Sequence, residues 1–171
     1  MISPYSKNII FLDTEFTDLD VKKGELISIG LVKAGGEELY LELEYEDKPH
    51  PWVIENVLPS LTGEKIEKSS AVKILKEFVG VENPYMVAYV NQFDSVFWYD
   101  LFDSAKEHPF YWIPIDFASI LFAHGFDPNS MGKDKFFDNL GIDKTKYSKH
   151  NALDDAKLLS ATYTAFFNTI N

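Results

Sequence analysis

The run "IIFLDTEF", residues 9–16, constrains the chain more than any other stretch. Ile9, Ile10, Phe11 and Leu12 are uninterrupted apolar residues, the pattern of a strand covered on both faces. The run drives straight into Asp13 and Glu15. Side chains two apart on a strand share a face, so both acids point the same way at the strand's C-terminal end. Two readings are open there. Either the strand ends at the surface, or the acids hold a cation, because a buried carboxylate is costly without a partner. Open α/β sheets bind their ligands at that end.

The rest of the chain supplies a sheet around this strand. "ELISIGLVK" (25–33) reads as a second apolar strand, and Ala34-Gly35-Gly36-Glu37 as a hairpin turn. Residues 38–45 alternate Leu39, Leu41, Leu43 and Tyr45 with Glu38, Tyr40, Glu42 and Glu44, which predicts an edge strand with one wet face. Residues 48–63 are punctuated by proline and read as loop. Helices are expected at 69–80, capped by Ser69 or Ser70, at 92–105 and at 152–168. Shorter helices are expected in "FASILFAHG" and "KFFDNLG", and strands at 85–90 and 111–117. This order predicts an α/β fold with a mixed five-stranded sheet: three antiparallel strands, then βα units, with helices on both faces. The 171 residues suit a single domain over 1–171.

Composition excludes several chemistries. There is no cysteine, hence no disulfide, thiolate metal site or cysteine nucleophile. No apolar run approaches the roughly 20 residues of a membrane span and no secretory pattern opens the chain, so a cytoplasmic protein is expected. All 16 basic residues are lysines, and the net charge is −11. Arginine is the preferred bidentate phosphate partner, so a broad phosphate-binding surface is disfavoured. An acidic chain can still act on nucleic acid where metal ions supply the local positive charge.

Two further clusters bear on that. In "VNQFDSVF", Asp94 falls in the first turn of a helix that follows a strand, with Asn91 placed to cap it. A first-turn acid also complements the helix dipole with no further role. In "SKHNALDDA", His150 and Asp155 are five apart and would diverge by about 140° on one helix. They converge if His150 lies in the preceding loop, with Asn151 as N-cap and Asp154 in a capping-box-like position. An oxygen-only set of Asp and Glu suits Mg²⁺ or Mn²⁺ and not zinc. Two such ions about 4 Å apart hold the attacking and leaving oxygens of a phosphoryl displacement. A nearby histidine can take the proton from the attacking water.

Together "FLDTEFT", "VNQFDSVF" and "HNALDDA" resemble the three motifs of the DEDDh family of 3′→5′ exonucleases, which have the RNase H-like fold. The resemblance implies two divalent cations, Mg²⁺ or Mn²⁺. It makes Asp13, Glu15 and Asp155 direct ligands, Asp94 a ligand acting through water, and His150 the general base. It implies nucleoside 5′-monophosphates released from a 3′ end. Phe16 and Phe93 become candidates to stack on the terminal nucleotide, as does Trp52 in the proline-rich stretch. Asp116 reads as a helix cap. Among subfamilies the chain looks most like the small stand-alone exoribonucleases of the RNase T and oligoribonuclease types. Single-stranded or short RNA is then the expected substrate, with DNA as the alternative and a non-catalytic binding domain of the same fold as a further one. Lys133, Lys135, Lys144, Lys146 and Lys149 stand ahead of His150 as a substrate-backbone candidate or a solvated face. The aromatics of "HPFYWIP" (108–114) are a candidate homodimer contact.

Overall fold

A computed structural model of the chain describes residues 3–102, 104 and 106–170. The strands are β1 (Ile9–Phe16), β2 (Leu26–Lys33), β3 (Glu38–Leu43), β4 (Lys65–Ile66), β5 (Tyr85–Ala88) and β6 (Ile115–Asp116). They form one mixed sheet in the order β4-β3-β2-β1-β5-β6. β1 to β3 run antiparallel, and β4, β5 and β6 each join by parallel pairing. The central position of β1 explains its unbroken apolar start, since it is covered on both faces.

Among the described residues the sheet has six strands where the sequence predicts five. The extra one, β4, is two residues long, too short to leave an alternation. The strand expected over 111–117 shrinks to Ile115–Asp116. Of "HPFYWIP", Phe110 is buried with its ring 4.8 Å from that of Trp98, and only Trp112 and Ile113 are strongly exposed.

The helices are α1 (Pro51–Asn56), α2 (Lys68–Val79), α3 (Gln92–Leu101), α4 (Phe117–Ala123), α5 (Asp134–Leu140) and α6 (Ala152–Thr169). α1 replaces part of the expected loop. Pro51 suits a first helical position, and His50 Nδ1 accepts the N–H of Trp52 at 3.2 Å. A 3₁₀ turn, Leu58–Ser60, follows. α2 starts at Lys68 with Glu67 at the cap position, so neither Ser69 nor Ser70 caps it. α3 ends at Leu101, short of the expected 105.

Strand alternation sorts the core. Ile10, Leu12, Ile29 and Leu31 meet α2 and α3 through Leu75, Phe97 and Trp98. Ile9, Phe11, Val32 and Val87 meet α4 and α6 through Phe117, Leu159, Tyr163 and Phe166. Asp13 and Glu15 continue the α6 side. Glu42, expected on a wet face, is buried. Its Oε1 accepts from Tyr40 Oη at 2.9 Å and from the N–H groups of Thr62 at 2.7 Å and Gly63 at 2.8 Å. The 62–63 backbone closes over it, which offsets the desolvation of the carboxylate.

α6 touches the sheet at backbone distance. Gly30 pairs with Asp13 across the β1–β2 ladder. A Cβ built on Gly30 would lie 2.1 Å from the carbonyl oxygen of Ala152. Only glycine admits the first turn of α6 at that height. Gly30→Ala is expected to destabilise the fold by about 1–3 kcal/mol or more through overpacking, read as a lower urea midpoint. An unchanged midpoint would show that the helix can lift away at no cost.

Candidate active site

The first turns of α3 and α6 reach the same end of β1 from opposite faces of the sheet. α3 brings Asp94, and α6 brings Asp155. Asn151 caps α6 as its position predicts, its side chain accepting the N–H of Asp154 at 3.2 Å. His150 lies before the cap with a left-handed backbone, φ 61°. Its N–H donates to Asp155 Oδ2 at 2.9 Å, and its Nδ1 is 3.7 Å from Glu15 Oε1. Glu15, His150 and Asp155 therefore offer ligand atoms within 4.8 Å of one another.

Asp13 stands against this group electrostatically. Burial pushes its carboxyl well above the usual carboxylate range, and the charges of Asp94, Asp155 and Glu15 push it further. Burial raises Asp94 to about 7, with Glu15 adding, even though Thr14 opposes the shift. Thr14 donates to Asp94 Oδ1 twice, from Oγ1 at 2.6 Å and from its N–H at 3.0 Å. Asp155 is raised to about 6, by burial first and Glu15 second, against the His150 N–H. Acids packed this closely share a deficit of positive charge.

The other candidates sort less evenly. Phe16 stacks on Phe97 with centroids 4.6 Å apart and leans on Phe93 at 5.9 Å, so both candidate stacking rings pack against the core and are only partly exposed. Trp52 is 48% exposed and meets the His150 ring edge-on at 4.9 Å. Asp116 caps α4, accepting from the N–H groups of Ala118 and Ser119, and also receives the Val90 N–H at 2.9 Å. A cavity of about 470 Å³ is lined by Asp13, Glu15, Asp155 and His150 but not by Asp94, and Tyr89, Tyr147, Lys144 and Lys149 also line it. Lys144 is ion-paired with Asp134, and Lys133 with Asp127.

Sequence reasoning passes over Thr14 and Ser60. Thr14 sits inside the D-x-E run but faces the other side of the strand, where alternation assigns it to the core. Ser60 carries no local signal for the site, because its contact with the His150 carbonyl spans 90 positions.

No family model matches the sequence, and no curated protein does. Solved structures do match in fold. E. coli exonuclease I in complex with a dT13 oligonucleotide superposes with a TM-score of 0.70 at 12% identity, over 94% of this chain and 41% of that one. The zinc-bound form of the E. coli enzyme with single-stranded DNA gives 0.65 at 13% identity, over 91% and 38%. A further exonuclease I structure gives 0.66 at 14%, over 91% and 39%. The chain thus spans about two-fifths of these proteins and shares the α/β fold of that part.

The raised carboxyls set a pH dependence. Asp13, Asp94 and Asp155 bind protons more tightly folded than unfolded, where a carboxyl titrates near 3.9. The native state therefore holds more protons from about pH 4 to 7, and stability falls as pH rises through that window. In chelator, the melting temperature is expected to drop by roughly 5 °C between pH 5 and pH 8. Asp94→Asn should shrink the drop, and Mn²⁺ at pH 8 should reverse it. A melting temperature that stays level across this range, or no response to Mn²⁺, would contradict the electrostatics.

Proposed function

We propose that this chain is a metal-dependent 3′→5′ exonuclease acting on single-stranded nucleic acid. One observation carries the reading. Glu15, His150 and Asp155 offer ligand atoms within 4.8 Å of one another, Asp13 lines the same cavity, and among the described residues no lysine forms an ion pair with these acids or with Asp94. Like charges gathered at least half-buried with no lysine paired to them fit divalent cations.

In this reading Asp13, Glu15 and Asp155 would hold Mg²⁺ or Mn²⁺, and Asp94, steadied by Thr14, would act on the ions through water. Such ions, when bound, would supply stabilisation of the attacking and leaving oxygens of an in-line displacement. His150 takes the proton of the attacking water at Nε2, its Nδ1 being turned to Glu15. The water oxygen bonds to phosphorus as the P–O3′ bond breaks. A nucleoside 5′-monophosphate leaves, and the shortened strand keeps a 3′ hydroxyl. Trp52, which is exposed, and the partly exposed Phe16 and Phe93 are the rings available to a terminal base. Lys149, at the cavity wall, is the cation available to a strand phosphate. The oligonucleotides bound to the solved neighbours are DNA, which favours single-stranded DNA over the RNA that the sequence resemblance implies.

The test is product analysis on 5′-labelled single-stranded DNA and RNA of one sequence, with Mn²⁺, with Mg²⁺ and with chelator. A metal-dependent ladder shrinking from the 3′ end is expected, faster on DNA. His150→Ala should slow it by roughly 10²–10⁴-fold. Asp13→Asn and Asp155→Asn should remove both activity and stabilisation by Mn²⁺. Intact substrate with either metal would overturn the reading, and a faster RNA ladder would overturn only the choice of DNA.

A further inference from the structure

His150 sits in a backbone conformation that a residue with a β-carbon adopts at a cost. Something must hold it there. Its N–H is held by Asp155, within the same motif. Its carbonyl is held from far away in the chain: Ser60 Oγ donates to His150 O at 2.6 Å across 90 positions. The main-chain oxygen of Ser60 accepts in return from Asn151 Nδ2 at 3.2 Å. Ser60 therefore grips two successive residues, once as donor and once as acceptor. Asn151 has both ends of its amide engaged, because its Oδ1 caps α6.

The Ser60 hydroxyl has one proton and two acceptors in reach. Val57 O, at 2.8 Å, already receives the main-chain N–H of Ser60 at 2.9 Å. His150 O is the nearer acceptor. On the same side, Trp52 sets its ring edge-on to the His150 imidazole. The segment from α1 to the 3₁₀ turn thus closes over the His150 loop with a ring at one end and a reciprocal hydrogen-bonded pair at the other.

We propose that Ser60 is a positioning residue, whose hydroxyl latches the His150 carbonyl and so fixes the imidazole against Glu15 and Asp155. This rests on the reading of His150 as the general base. A base displaced by about 1 Å loses rate steeply while the carboxylates and the substrate surface stay in place. Ser60→Ala should therefore lower kcat by roughly ten- to a hundredfold with KM nearly unchanged. Mn²⁺ affinity, read by electron paramagnetic resonance without substrate, should stay within about twofold, since the latch touches none of the four acids directly. Ser60→Thr, which keeps a hydroxyl, should recover most of the rate.

The deciding experiment is a cycle of wild type, Ser60→Ala, His150→Ala and the double variant, under single-turnover conditions with enzyme in excess. If Ser60 acts through His150, the double variant is no slower than His150→Ala alone. An equal further loss in the double variant would overturn the latch, as would a wild-type rate in Ser60→Ala or a parallel loss of Mn²⁺ affinity. Full activity in His150→Ala would overturn the assignment of the base, and the latch with it. A wild-type rate in Ser60→Ala beside an inactive His150→Ala would overturn the latch alone.

Discussion

A helix can meet a sheet at backbone distance only where the sheet offers a residue with no side chain, and Gly30 is that residue. Most of the candidate site hangs on this contact. Gly30 is the ladder partner of Asp13, so the first turn of α6 settles directly beside the strand that ends in acids. The height of the helix then sets the reach of Asp155 and the place of the loop that carries His150. A side chain at position 30 would raise the helix start, and the convergence of acids would open.

What this closeness costs is electrostatic. Asp13, Asp94 and Asp155 are each pushed upward, first by burial and then by neighbouring acids. A fold does not gather such groups for stability, since unpaired buried charge opposes folding. The supports around them are local and directional. Thr14 gives both its donors to one oxygen of Asp94, and the His150 N–H holds one oxygen of Asp155. These bonds fix orientation while leaving net negative charge uncancelled, the state a divalent cation relieves. Glu42 is the contrast. It is buried as Asp94 is, but a phenol and two backbone N–H groups converge on one of its oxygens, and it lies on β3 and not among the candidate ligands.

The sheet and the acids were legible because they follow from short-range periodicity. Alternation put Asp13 and Glu15 on one face, and cap chemistry put His150 ahead of Asn151. What stayed hidden is held by partners distant in sequence. Alternation placed Glu42 in water, but the 62–63 backbone covers it. α1 is only six residues long, set by Pro51 and the His50 ring, and so short a helix leaves no apolar period to read. β4 is two residues defined solely by its neighbour. The stacking role read for Phe16 and Phe93 met a competing use, since both rings lean on the core that Phe97 anchors.

The same division explains why the histidine stands on a loop. On α6 itself, a residue five positions before Asp155 would face away from it, so the chain must break at Asn151 for the two to meet. Breaking it leaves His150 with a strained backbone and no helical hydrogen bond to hold its carbonyl. The missing restraint is supplied from the segment of 50–60, through Ser60 and Trp52. A stretch that reads as a proline-rich connection thereby becomes part of the site: it gives rigidity to a residue that the motif places but does not secure.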